Sequence, residues 1–346
     1  MDEILINKYR SNRLVPESKH GRWISGSGEA GVVSVVIPTY NREVYVIDAL
    51  ESVFAQDYRP IEVLVVDDSS TDDTEDVVRR WIELHAEERL FSAHYCKQVN
   101  SGAPAARNYG AIQSIGEFIQ FLDSDDVLLP HKIGNAVALL RSGSADYVYC
   151  RAQFVDGQLN RLNDYFGQPE TGTPDDVVTY LWQTMCPLFF REMLAEAGPW
   201  REGLINSQDW EYGARMPLLG FRAHYDSEVG AFFRIHHQGT MGSGELDVPK
   251  LFSIFSAYHS IGMLAQQLGV LGQVLKQRLF KRLLLTALQL GARDSWSDAT
   301  RVLAAICELR LCRQPGRWLL QSFFRLKPGV CCRILEKKLL GNGSKG

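Results

Sequence analysis

The sequence predicts an α/β protein: a doubly wound, mainly parallel sheet flanked by helices, followed by an all-helical C-terminal region. Three observations predict it. From Val32 onward, β-branched runs alternate with stretches of helical spacing in the order βαβαβαβ. Polar segments follow three of the strand runs, and two of them are rich in carboxylates. From Lys250 the strand pattern stops and apolar residues recur at helical spacing, as in Leu275, Leu279, Leu283 and Ala287.

Each element has its own warrant. Residues 1–31 are polar and end Gly/Ser-rich, and read as an extension or linker. Val32 to Ile37 is an unbroken β-branched run, the mark of a strand buried on both faces. Glu43 to Phe54 carries Val46, Leu50 and Phe54 at helical spacing. Ile61 to Val66 repeats the buried-strand pattern and Thr74 to Leu84 the helical one. A weaker strand over Phe91 to Cys96, a helix over Ala105 to Ser114 and a strand over Phe118 to Leu122 complete the alternation. After Pro130 come a helix to Arg141 and a strand over Tyr147 to Val155. Residues 156–174 read as loop, and 175–235 as short helices with a strand near Phe232.

Composition narrows the function classes. The 346-residue chain is large enough for one α/β domain and a smaller region. Its net charge of −4 conceals an asymmetry. Residues 250–346 hold 16 Lys+Arg against 4 Asp+Glu, whereas the remainder holds 21 against 37. The acidic front argues against nucleic-acid binding, and the basic tail points to an anionic partner such as a phospholipid surface. The N-terminal residues lack the apolar run of a secretory signal, and no apolar stretch approaches the roughly 20 residues of a spanning helix. The seven cysteines have no zinc or redox spacing and read as reduced thiols. The expectation is a cytoplasmic protein that can sit at the inner face of a membrane.

In an open parallel sheet, ligands bind beyond the carboxyl ends of the strands. Three strand ends carry candidate chemistry: Pro38-Thr39-Tyr40-Asn41-Arg42, Asp67-Asp68-Ser69-Ser70 and Asp123-Ser124-Asp125-Asp126. Crowded carboxylates repel unless a ligand or cation holds them, and hard oxygens suit Mg²⁺ or Mn²⁺. Taken alone, Asp-x-Asp at 123–125 is more often a solvated turn, and Asp67-Asp68 more often a helix cap. Asn100-Ser101-Gly102 opens a helix bearing Arg107, a combination suited to phosphate. Downstream, Gln208-Asp209-Trp210-Glu211 offers a carboxylate as general base, although a plain N-cap competes with that reading. His236 and His237 follow a strand and can complete a metal site, or simply be exposed. Gly26-Ser27-Gly28-Glu29-Ala30-Gly31 matches a dinucleotide fingerprint, but it precedes the first strand where it should follow one.

The order and spacing of these motifs carry more than any one of them. VSVVIPTYNR at 33–42, VLVVDDSSTDDT at 63–74, NSGAPAARNYG at 100–110 and FLDSDDVLLP at 121–130 together closely resemble the family 2 glycosyltransferases, which have the GT-A fold. The resemblance covers about residues 32–240. It implies a nucleotide pocket lined by Pro38, Tyr40 and Glu43, with Asp68 at the base and Arg107 near the diphosphate. It implies a metal held by Asp125 and Asp123, with His236 at the metal or diphosphate, and Asp209 as catalytic base. Gln208 departs from the pattern, since the family often has Glu there.

The implied organisation is an extension over 1–31, a catalytic domain over 32–248 and a basic helical region over 249–346. The catalytic domain divides into a nucleotide-sugar half, 32–130, and an acceptor half, 131–248. The implied activity is inverting, Mn²⁺- or Mg²⁺-dependent transfer from a nucleotide-sugar, UDP-linked by preference, to a hydroxyl of a glycan or glycolipid acceptor. Synthesis of a cell-surface polysaccharide is the expected setting. Transfer to a polyprenyl phosphate is the first alternative, and a non-catalytic nucleotide-sugar-binding module is the alternative from another class. A nucleotidyltransferase is disfavoured, because a Gly-rich, basic loop is missing after the first strand.

Overall fold

The computed structural model describes residues 23–170, 177, 182–236 and 246–311. Among the described residues, nine strands form one sheet. β1 (Glu29–Thr39), β2 (Ile61–Asp67), β3 (Phe91–Lys97) and β4 (Gly116–Phe121) pair in parallel in the order β3-β2-β1-β4. β1 and β2 are buried almost throughout, which is why they read as continuous apolar runs. Register aligns their ends: Thr39 pairs with Asp67, and Asp67 with Lys97. The polar segments after β1 and β2 therefore leave the sheet side by side.

Helices α1 (Val46–Phe54), α2 (Thr74–Leu84) and α3 (Ala103–Gln113) connect these strands. α3 lies close on the sheet because residue 110 is glycine: a Cβ there would overlap the side chain of Val36. The glycines ahead of β1 have a comparable packing purpose. A side chain at Gly28, where φ is +78°, would collide with the backbone at Gly116, so the glycine-rich run serves close chain approach.

The second half of the sheet is mixed. β8 (Pro187–Phe190) runs antiparallel to both β4 and β6 (Tyr147–Val155). β9 (Ala223–Arg234) is parallel to β6 and antiparallel to the short β5 (Val127–Leu128), and β7 (Arg161–Phe166) pairs with β6. Two consequences position the site. Because β8 is reversed, the residues entering it, Gln183 and Thr184, arrive at the carboxyl end of β4. Because β9 returns beside β5, it brings Arg234 and His236 to Asp125 and Asp126.

α4 (Lys132–Arg141), α5 (Arg191–Ala197) and α6 (Gln208–Leu218) complete the α/β part. Three helices follow: α7 (Val248–Gln267), α8 (Gln273–Ala292) and α9 (Trp296–Glu308). Leu275, Leu279, Leu283 and Ala287 are all buried, as their spacing predicts. α7 docks on α6, where Trp210 stacks on Tyr258 with ring centroids 3.8 Å apart. Trp210, Ala214 and Leu218 share an apolar cluster with Ala257, Ile261 and Leu279. The described C-terminal helices thus spend their apolar faces on α6 and on one another. No helix among the described residues is long and apolar enough to cross a membrane. Arg313, Arg317 and Arg325 of the basic C-terminal region, and His237, lie outside the described residues.

Candidate active site

A cleft of about 980 Å³ opens at the carboxyl ends of β1, β2 and β4. Two loops form its first wall. Asn41, with φ of +52°, donates from its backbone N–H to Ser70 Oγ (2.9 Å) and accepts at Oδ1 from the Thr71 N–H (2.8 Å). Glu43 Oε2 accepts from the Asp73 N–H at 2.9 Å. The loops after β1 and β2 are therefore stitched into one surface, on which Pro38 and Tyr40 face the cleft.

Asp68 is buried, and its carboxylate accepts from the Ser101 N–H (2.8 Å), the Gly102 N–H (2.8 Å) and Gln98 Nε2 (2.7 Å). It thus engages free amides at the start of α3 rather than those of α2, which Asp72 serves through the Thr74 N–H. Asp68 still lines the cleft.

Arg107 is buried on α3 and bridges distant segments. Nη2 donates to Asp123 Oδ1 at 2.6 Å and Nη1 to Gln208 Oε1 at 2.9 Å. Its guanidinium lies 4.6 Å from the ring centre of Trp200, which stacks in turn on Tyr212. Gln208 Nε2 donates to the Leu204 carbonyl, which orients the amide so that its oxygen meets Arg107. The neutral Gln208 is therefore an adequate partner at this position.

Asp125 takes a different partner set. Its Oδ2 lies 3.0 Å from His236 Nε2 and 3.4 Å from Arg42 Nε. Burial raises the Asp125 pKa, but the His236 hydrogen bond and the Arg42 charge outweigh it, and the carboxyl is held below the usual range. Neighbouring Asp126 is fully buried; desolvation and the charges of Asp125 and Asp123 push its pKa well above the ordinary value, while it accepts from the Arg234 N–H.

Asp209 occupies the first turn of α6, half-buried and facing the same cleft. The turn before it is strained, with Ser207 at φ +59°. Ser253 of α7 braces that turn: its Oγ accepts from the N–H groups of Ile205 and Asn206 and donates to the Asn206 carbonyl.

The structure thus gathers Pro38, Tyr40, Glu43, Asp68, Arg107 and Asp123 around one cleft, with Asp125 and Asp209 beside them. His236 joins through Asp125. Asp123 does not share the Asp125–His236 contact; it turns to Arg107. Sequence reasoning assigned no role to Arg42 or Tyr45. Arg42 stood in the motif after β1. Tyr45 stood within the expected helix, which in fact begins at Val46.

Glycosyl transferase family 2 matches residues 34–190. This chain carries a family 2 glycosyltransferase domain. An uncharacterized glycosyltransferase of Rickettsia felis is 42% identical over 174 residues, which are 50% of this chain and 27% of that protein. The putative teichuronic acid biosynthesis glycosyltransferase TuaG of Bacillus subtilis is 30% identical over 147 residues, 42% of this chain and 57% of that protein. The matched stretches thus span from about a quarter to somewhat over half of these relatives. Among solved structures, S. aureus TarS 1-349 in complex with UDP-GlcNAc aligns with a TM-score of 0.67 at 21% identity, covering 91% of this chain and 93% of that one. That likeness is one of fold, and it extends past the glycosyltransferase domain into the helical region.

The donors at the Asp125 end of the cleft suit a divalent cation of the Mg²⁺ or Mn²⁺ kind. Such ions take one or two protein ligands and complete their shell with phosphate and water. Asp125 supplies an ionised oxygen and His236 a nitrogen within contact of it. Among the described residues no third His, Cys, Asp or Glu completes an all-protein metal cage.

Proposed function

We propose that this protein transfers a sugar from a nucleoside-diphosphate sugar, UDP-linked by preference, to an acceptor hydroxyl with inversion of configuration. The observation that carries this reading is convergence. Arg107, the Asp123–Asp125 segment and Asp209 come from separate parts of the chain, yet they line one cleft at the carboxyl ends of parallel strands, and His236 joins them through Asp125. Pro38, Tyr40, Glu43 and Asp68 would receive the nucleoside. Arg107, held by Asp123 and Gln208, would face the diphosphate with its charge in place. Asp125, with His236 and in the outer shell Asp123, would hold Mn²⁺ or Mg²⁺, which supplies neutralisation of the charge developing on the leaving diphosphate. Asp209 would take the proton of the acceptor hydroxyl as its oxygen attacks the anomeric carbon. Thr184, Ile205 and Asn206 border this end of the cleft and would meet the acceptor.

The acceptor class in this reading is a glycan or glycolipid built for the cell surface, in keeping with the name of the B. subtilis relative. The charge of residues 250–346 supports a peripheral contact with anionic membrane, at the cytoplasmic face. The test is a screen of nucleotide-sugars with Mn²⁺ for release of nucleoside diphosphate, followed by mass analysis of products on candidate acceptors. Release from one donor, enhanced by one acceptor, is the expected result. Binding of a nucleotide-sugar with no turnover on any acceptor would favour the binding-module reading.

A further inference from the structure

The loop that lines the nucleotide side of the cleft also reaches its cation end. Arg42 and Tyr45 close one turn, in which the N–H groups of Tyr45 and Val46 both donate to the Arg42 carbonyl. Arg42 contacts Asp125 directly. Tyr45 contacts His236: the two rings stack with centroids 4.6 Å apart and planes tilted by 33°. The Tyr45 ring also packs against Arg234, whose guanidinium lies 4.8 Å from the ring centre. Arg234 is itself fixed, donating to Asp48 Oδ2 at 2.7 Å and to the Gly157 carbonyl at 3.0 Å. Gly157 closes this corner: a Cβ on it would stand 3.9 Å from both Tyr45 Oη and His236 Cβ. Tyr45 is thus clamped between a buried arginine and the imidazole that touches Asp125.

We propose that Tyr45 is a positioning residue that holds the His236 imidazole against Asp125 and thereby sets the affinity of this site for a divalent cation. The inference rests on the nucleotide-sugar reading given above. An imidazole two residues past the end of β9 can rotate about two bonds, and a cation needs its nitrogen in one place. Stacking on a clamped aromatic ring removes that freedom. Because Tyr45 and Tyr40 belong to one loop, a nucleoside bound against Tyr40 also steadies Tyr45. Nucleotide and cation binding should therefore reinforce each other through this ring.

The test measures Mn²⁺ binding to the full-length protein by electron paramagnetic resonance of the free ion, with UDP, GDP or dTDP present. Tyr45→Ala should weaken Mn²⁺ binding about tenfold. Tyr45→Phe, which keeps the ring face, should stay within about twofold of the parent. In a His236→Ala background, Tyr45→Ala should cost nothing further, because its effect passes through the imidazole. Where Tyr45→Ala lowers the melting temperature, Tyr45→Leu serves as the filled but non-aromatic variant, and the same loss is expected. In turnover, the Mn²⁺ activation constant should rise in step while kcat at saturating Mn²⁺ holds. Parent-like Mn²⁺ affinity in folded Tyr45→Ala or Tyr45→Leu, or an equal loss in the His236→Ala background, would overturn the assignment. A parent protein that binds no Mn²⁺ with any of the three nucleotides would overturn the nucleotide-sugar reading, and this inference with it.

Discussion

Arg107 is where fold and proposed chemistry meet, and replacing it with methionine separates the two. Arg107→Met keeps most of the apolar stem and deletes three interactions. Gln208 Oε1, in a buried residue, loses its donor, which costs about 1–3 kcal/mol. The contact over Trp200 contributes about 1 kcal/mol when partly desolvated, and a methionine sulfur recovers part of it. Breaking a fully buried ion pair costs about 3–5 kcal/mol, but the Asp123 side chain is 31% exposed, and water takes over much of its solvation. About 1 kcal/mol is the fair share for that pair. The net loss is about 3 kcal/mol, which for a domain of this size lowers the melting temperature by roughly 6–10 °C. The assay is a thermal melt followed by tryptophan fluorescence, with and without nucleoside diphosphate and Mn²⁺. The parent should be stabilised by the ligand pair and the variant should not. Arg107→Lys should recover part of the stability but little of the ligand response, since an ammonium cannot span Asp123 and Gln208 as the fork does. A variant that melts within about 1 °C of the parent and shows the parent's ligand response would mean that Arg107 supports neither the fold nor the ligand site.

Four further outcomes follow from the geometry. Asp209→Asn should lose about 10²–10⁴-fold in turnover while retaining donor affinity; collapsed affinity with surviving turnover would make Asp209 a binding residue. EDTA should abolish transfer and Mn²⁺ or Mg²⁺ restore it, and Asp125→Ala should weaken nucleoside-diphosphate binding only when metal is present; full activity of the metal-stripped variant would remove Asp125 from the site. Gly110→Val should cost about 1–3 kcal/mol by urea denaturation, because its side chain overlaps Val36 and Val66; an unchanged midpoint would mean that α3 sits farther from the sheet. Burial lowers the pKa of the Lys132 ammonium to about 8 from 10.5, so between these values the unfolded chain binds the extra proton and stability rises with pH. Relative to Lys132→Met, the parent should gain on the order of 3 kcal/mol across that window and nothing below it; parallel profiles would place the ammonium in contact with solvent.

The strand–helix alternation was legible because β1 and β2 are buried on both faces, which enforces continuous β-branched runs. The helix over Thr74–Leu84 begins and ends where its spacing predicts. β7 escaped because Arg161–Phe166 pairs on one side only and is exposed, so nothing imposes apolar alternation on it. β8 escaped because it has four residues, starts with a proline and lies in a generally apolar stretch. The candidate residues were legible as motifs at strand ends, where the sheet's polarity forces ligand chemistry to gather. Their partners were not. Arg107 meets Gln208 across 101 positions, and His236 meets Asp125 across 111. Asp68 illustrates the same limit: the motif marks it as a ligand contact, yet it also ties down the N-terminus of α3 through Ser101 and Gly102. Only the register between β2 and β3 brings those amides within reach.

The cleft is proposed to hold a nucleoside diphosphate and a divalent cation together. The most direct measurement is a crystal structure grown with Mn²⁺ and the nucleoside diphosphate that binds most tightly. Nucleotide density is expected between the Pro38–Glu43 loop and Arg107, with the anomalous signal of Mn²⁺ on Asp125 and His236. Nucleotide seated outside this cleft, or Mn²⁺ held by other side chains with Asp125 and His236 still paired, would contradict it.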